Sequence, residues 1–138
     1  MPKLESALYD YLSADPLLSS LVSDRIYPLR LKEGTVLPAI AWQRISAQRT
    51  YTHDAFVDTA PWVRARVQIA CWSNTALGAI EVGEAVMAAL SGYTGDMEGE
   101  YIGSSTAELE LDDYEPTTRL YRRLVDFFIT YEEEPAGS

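Results

Sequence analysis

The hydrophobic positions change period along the chain, and each change marks an element. Leu4, Ala7, Leu8, Tyr11 and Leu12 recur at helical spacing, while Lys3, Glu5, Ser6, Asp10 and Ser13 take the other side, so the chain opens with an amphipathic helix. Asp15-Pro16 reads as an N-cap followed by proline at the first helical position. It opens a second short helix with Leu17, Leu18, Leu21 and Val22 on its buried side. Ile26-Tyr27-Pro28 is expected to be extended, because a residue before proline is pushed out of the helical region. Residues 30–37 form a loop around Gly34. From Pro38 the period becomes two: Ile40, Trp42, Arg44 and Ser46 alternate with Ala39, Ala41, Gln43 and Ile45, a strand that proline begins rather than interrupts. The polar segment Ala47 to Pro61 then reads as a loop longer than a usual hairpin connection, the kind that tends to carry function.

Trp62 to Trp72 is the clearest strand, with Val63, Ala65, Val67, Ile69 and Cys71 on one face and Arg64, Arg66 and Gln68 on the other. Ser73 or Asn74 is expected to cap a long helix from about Thr75 to Ser91, ended by Gly92 in the left-handed region. Leu77, Ile80, Glu84, Met87 and Leu90 mark its main face, widened by Ala76, Ala79, Val86 and Ala89, and its alanines and Gly83 allow close approach to a sheet. After a turn region holding Gly92, Gly95, Gly99 and Gly103, alternation returns as Ala107, Leu109 and Leu111 against Thr106, Glu108, Glu110 and Asp112. Leu120 to Tyr131 fits either period, but Val125, Phe127, Phe128, Ile129, Thr130 and Tyr131 favour a strand. The predicted order is α-α-β-β-β-α-β-β. Strands in runs point to an α+β fold, an antiparallel β-sheet with the long helix and the N-terminal helices packed on it. One domain is expected over residues 1–138, with 132–138 a flexible acidic tail.

Charge adds an asymmetry. The chain has 138 residues, 47% of them hydrophobic, with 11 Lys and Arg against 21 Asp and Glu and a formal net charge of −10. That apolar content supports a core and excludes a wholly disordered chain. An acidic chain is a poor dedicated DNA binder, since phosphate neutralisation needs clustered Lys and Arg. The charges are segregated: residues 25–66 carry a net +4 and residues 96–138 a net −9. This is either a solvated face with an acidic tail or a molecule whose two sides complement further copies of itself. No apolar run approaches the ~20 residues of a membrane span, and Met-Pro-Lys-Leu-Glu-Ser lacks the apolar stretch of a secretory signal, so neither is expected. The single cysteine, Cys71, excludes an internal disulfide and suits a reducing compartment.

Catalytic chemistry is thin. His53 is the only histidine, and Cys71 lies on the apolar face of its strand, where an inert core thiol is expected. With no paired cysteines and no second histidine, a zinc site is not expected, and the glycines form no phosphate-binding fingerprint. Glu108, Glu110 and Asp112 on one strand face, with Asp113 and Glu115 beside them, allow oxygen ligation of Mg²⁺ or Ca²⁺. The plainer alternative is an exposed strand face relieved by cross-strand arginines, either Arg64 and Arg66 or Arg122 and Arg123. Tyr51, Phe56 and Trp62, in or beside the long loop, have no evident core to join and are candidate contact residues. No catalytic, cofactor-binding or metal-binding residue is assigned, and no cofactor is expected.

The ordered pieces carry a resemblance. They are the N-terminal Leu-x3-Leu helix, Asp15-Pro16-Leu17, Leu21-Val22, Arg25-Ile26-Tyr27-Pro28, Leu37-Pro38-Ala39-Ile40 and Gln43-Arg44-Ile45-Ser46. Then follow Val67-Gln68-Ile69, Cys71-Trp72-Ser73, Ala89-Leu90-Ser91-Gly92 and Tyr121-Arg122-Arg123 with Asp126-Phe127. Across residues 4 to 131 the whole resembles the tail-completion (tail-terminator, head-tail joining) family of long-tailed bacteriophages. The resemblance implies a non-enzymatic α+β subunit of the virion, assembled in the host cytoplasm into a ring, commonly a hexamer, at the head-proximal end of the tail tube. Such a ring stops tail elongation and offers a docking surface to the head connector (stopper) protein. Its partners are further copies of itself, the tail tube protein and that connector, with DNA only a non-specific passenger through the channel and no membrane involved. The competing classes are a free-standing acidic binding module and a carboxylate-metal enzyme. On the ring reading, the basic middle (Arg44, Arg49, Arg64, Arg66) is expected to face acidic groups (Glu108, Glu110, Asp112, Asp113) of a neighbour, and the 47–61 loop to reach the tube or the connector.

Overall fold

The computed structural model describes residues 3–50 and 62–132. The opening helix, α1 (Lys3–Ala14), buries Leu4, Ala7, Leu8 and Leu12 as its periodicity predicts. Asp15 caps α2 (Pro16–Val22) by accepting the Leu18 N–H at 3.0 Å. α2 buries Leu18 and Val22, but Leu17 is 54% exposed, because a helix this short turns only a narrow face inward.

The strands are β1 (Ile26–Pro28), β2 (Ala39–Thr50), β3 (Trp62–Ser73), β4 (Gly95–Met97), β5 (Glu100–Glu115) and β6 (Leu120–Glu132), with helix α3 (Ala76–Leu90) between β3 and β4. They form one sheet in the order β1-β2-β3-β6-β5-β4. All pairings are antiparallel except β1 with β2, which run parallel because the loop after Pro28 returns along the sheet before β2 begins. The fold class is the predicted α+β, with the helices packed on an essentially antiparallel sheet.

Three departures from the sequence reading have local causes. The strand from Pro38 does not stop at Ser46: it runs to Thr50, continued past a bulge between Arg44 and Ser46, so Ala47–Thr50 belong to β2 rather than to a loop. The turn region holds the short strand β4, because Glu98 (φ 46°) and Gly99 (φ 95°) supply the paired left-handed residues of a tight hairpin joining Met97 to Glu100. The long helix is capped by Thr75, whose hydroxyl accepts the Gly78 N–H at 3.0 Å, while Ser73 accepts the Thr75 N–H. Its buried face is Ala79, Val82, Gly83, Val86 and Leu90; Leu77 is 72% exposed and Glu84 is also exposed. Small residues face the sheet because the backbone of α3 lies close to it: a Cβ on Gly83 would stand 2.3 Å from Cδ of Arg123.

One face of the sheet is covered by helices and carries the core. Val63, Ala65, Val67, Ile69 and Cys71 of β3 and Val125, Phe127 and Ile129 of β6 are all at most 2% exposed there. Tyr11 ties α1 to α3 by donating to the Ala89 carbonyl at 2.6 Å. Among the described residues no helix is long and apolar enough to cross a membrane.

Candidate functional site

Strand register decides which charged side chains can meet. The acidic row on β5 is split by a bulge between Ala107 and Leu109, so Glu108 does not share one uninterrupted face with Glu110 and Asp112. Beyond the bulge, Glu110 lies opposite Val125 and Asp112 opposite Arg123, on the helix side of the sheet. Asp113 lies opposite Arg122 on the other side. Arg123 donates from Nε to Asp112 at 2.7 Å and also pairs with Glu110, while Arg122 forms a two-pronged pair with Asp113. The Arg123 bond holds the Asp112 carboxyl below the ordinary carboxylate range, and the same bond raises Arg123. Of the two arginine sets considered as cross-strand partners, Arg122 and Arg123 are the ones opposite the row.

The basic residues of the middle segment are engaged elsewhere in the chain. Arg44 forms an ion pair with Glu5 of α1 at 2.7 Å and donates to the Tyr131 hydroxyl at 2.9 Å. Arg66 and Gln68 both donate to Asp126, which is 1% exposed although it stands on the face without helices. Arg64 lies 3.8 Å from the centre of the Phe128 ring, and Arg122 stacks 5.0 Å from Trp72. Arg49 is exposed on β2. Trp62 opens β3, packed edge-on to Tyr101 at 6.1 Å and over Gly103, where a Cβ would come within 2.8 Å of its ring. Tyr51 and Phe56 lie outside the described residues, as do 133–138 of the acidic tail and the 51–61 part of the loop.

β2 and β5 are separated by β3 and β6, which puts Arg44 and Arg49 roughly 14 Å across the sheet from Glu110 and Asp112. These groups therefore do not meet within one chain. Asp126 is the residue that sequence reasoning missed. An acid flanked by Val125 and Phe127 in the most apolar strand was the available signal, since a buried carboxylate requires donors.

Among the described residues no acid, base and nucleophile are brought together. Burial pushes the Cys71 thiol up to about 12, so it is protonated and inert. Among the described residues no group of three His, Cys, Asp or Glu side chains is placed to hold a metal. A cavity of about 460 Å³ lies at one end of the helix-free face, between the 29–37 loop and Trp42, Trp72, Leu120 and Leu124. Its walls are mostly apolar and include no arrangement of acid, base and nucleophile.

The family model for tail completion protein gp17 matches residues 6–132. Among solved structures, a chain from the virion of a native gene transfer agent particle superposes with a TM-score of 0.70 at 19% identity, covering 94% of this chain and 95% of that one. That likeness is one of fold. A crystal structure from Akkermansia muciniphila aligns with a TM-score of only 0.33, at 13% identity over 70% of this chain and 45% of that one. No curated protein matches. The family model spans both ends of the described fold, from α1 through β6, and on that match the chain belongs to the tail completion protein gp17 family.

Proposed function

We propose that this chain closes into a ring, of six copies by its resemblance, at the head-proximal end of a tail tube. Membership of the family makes it a structural virion protein of the tail and not an enzyme. In the finer reading, the ring stops tube growth, presents a docking surface to the head connector and lets DNA pass through its centre. The observation that carries this reading is the placement of opposite charges on strands near opposite sides of one sheet: Arg44 and Arg49 on β2, Glu110 and Asp112 on β5. Such an arrangement favours a head-to-tail contact, which closes into a ring when the rotation permits. Arg64 and Arg66, on interior strand β3, and Asp113, paired with Arg122, stand outside that edge pattern, and Glu108 lies at the bulge beside it. Tyr51, Phe56 and Trp62 are the proposed contacts to tube or connector.

The test is a phage or phage-like particle whose copy of this gene is deleted, examined by electron microscopy. Tubes of irregular, excessive length unattached to filled heads are expected, with restoration by the wild-type chain. Normal-length tails joined to heads in the deletion would overturn the reading. The carboxylate-metal alternative has lost its ligands, since Glu110, Asp112 and Asp113 are engaged by Arg123 and Arg122.

A further inference from the structure

Each edge of the sheet is only half paired. β1 pairs with β2 at Ile40–Trp42 alone, and β4 pairs with β5 only at Glu100–Ile102. The Ser105 carbonyl accepts the Gly92 N–H at 2.7 Å. Beyond those points, Gln43–Arg49 of β2 and Thr106–Glu115 of β5 have no strand on their outer edges among the described residues. A long open edge is a template for another strand, and proteins usually blunt it with charged side chains, proline, a bulge or a short strand. The open stretch of β5 has neither lysine nor proline; its bulge at Glu108 and its five acids oppose pairing with an acidic strand, but the acids leave it open to a basic one.

We propose that the open half of β5 in one copy pairs antiparallel with the open half of β2 in the next, making the sheet continuous between subunits. The proposal rests on the ring reading and names the surface that forms it. Strand direction agrees: β2–β3, β3–β6 and β6–β5 are each antiparallel, so β2 and β5 run in opposite directions. A neighbour's β2 placed beside β5 therefore continues the alternation with its helices on the same side.

The side chains agree as well. On the helix side, β5 presents Glu110 and Asp112, and β2 presents exposed Arg49 beside Arg44, which is already paired with Glu5 and Tyr131 in its own chain. Arg123 serves both Glu110 and Asp112, so one positive charge stands against two negative ones. On the other side, Leu109 and Leu111, 51% and 49% exposed, would be covered by the neighbour's strand. Two β5 edges meeting each other would set carboxylate against carboxylate, which opposes that pairing and leaves the head-to-tail contact.

The open halves also lie at diagonally opposite corners. Ser46 is level with Thr106 through Arg66 and Phe128, whereas the middle of the open β5 stretch is near Glu110. Successive copies would thus be displaced along the strands by about 10 Å. A stagger of this kind is what closing a sheet upon itself requires.

Disulfide trapping in the full-length chain tests the pairing. Gln48, Leu109, Leu111 and Asp113 project from the helix-free side, and neighbouring strands bring Cα atoms within disulfide reach. Gln48→Cys is combined in turn with Leu109→Cys, Leu111→Cys and Asp113→Cys; native Cys71 is buried and does not compete. After oxidation of assembled protein, at least one pair is expected to link most chains into a ladder ending at the ring number, with single-cysteine variants unlinked. Glu108→Pro and Gln48→Pro, shown folded by circular dichroism, are expected to lose assembly at least tenfold. Closed rings in which no pair cross-links and both proline variants assemble like wild type would overturn the edge pairing alone. Cross-linked ladders from open-ended polymers would support the pairing while removing the ring.

Discussion

The two strands of the chain's last hairpin are built from different materials. Where α3 and α1 cover the sheet, β6 contributes Val125, Phe127 and Ile129, each fully buried. Its partner strand leaves that shelter after Ser105: from Thr106 to Glu115 no residue of β5 is buried, and the strand is held by arginine–carboxylate pairs and the Tyr114–Tyr121 ring contact at 4.9 Å. Burial of apolar surface stabilises a fold without regard to direction, whereas exposed ion pairs contribute little to stability and much to orientation. The covered part therefore carries folding. The arm is stable enough to be ordered, yet keeps an edge and a charge pattern that a neighbour can use.

The largest effect should follow from breaking the covered part. Phe127→Ala removes the largest fully buried side chain among the described residues and is expected to cost about 3–5 kcal/mol, much of the stability of a domain this size. Urea denaturation would measure it. A loss below about 1 kcal/mol would mean that the core does not centre on β6.

A smaller effect distinguishes two ion-paired carboxylates on adjacent strands. Asp126 is 1% exposed and receives Arg66 and Gln68, so Asp126→Ala strands two donors and should cost about 1–3 kcal/mol. Asp112, whose side chain is 53% exposed, should cost less than about 1 kcal/mol when truncated. Equal losses in paired denaturation curves would contradict the division between buried hub and exposed arm.

Gly83 joins the two regions, because α3 rests on the aliphatic stem of Arg123, whose head holds Glu110 and Asp112. Gly83→Ala gains about 1 kcal/mol of helix propensity but overpacks that contact at a cost of about 1–3 kcal/mol. A net loss of up to about 2 kcal/mol is expected. Adding Arg123→Ala should recover part of it, and a double-mutant cycle measures the coupling. Strictly additive losses would show that helix and arm are independent.

Much of this architecture was legible because period and capping are local properties. The face of β3 from Val63 to Cys71, the Asp15 cap and the burial of α1 follow directly from spacing. What was not legible depends on contacts from elsewhere in the chain. The face of α3 is set by the close approach at Gly83, which makes alanine and valine the packed residues and leaves Leu77 outside. The bulge at Glu108 reassigns the acidic row to two faces, and no alternation rule announces a bulge. The segregated charge was visible from the start, but only sheet order placed its two signs on opposite sides of the molecule.

The smallest effect is a pH dependence that separates the arm's own stability from its use in assembly. The Arg123 bond lowers the Asp112 pKa in the folded chain, so the pair contributes stability above the free carboxyl value of about 3.9 and loses it as pH falls through the lowered value. Asp112→Asn should therefore differ from wild type by less than about 1 kcal/mol at neutral pH. The two chains should converge in acid, where Asp112 is protonated and neutral as asparagine is. Thermal melts across that range check this: the difference should shrink towards low pH, and one that grew there would be opposite in sign to the pairing and would contradict it. Assembly gives the contrast. If Asp112 also faces the neighbour's basic strand, the same substitution weakens association at neutral pH more than it weakens the fold. High salt should then diminish the difference in association, since charge attraction across an interface is screened.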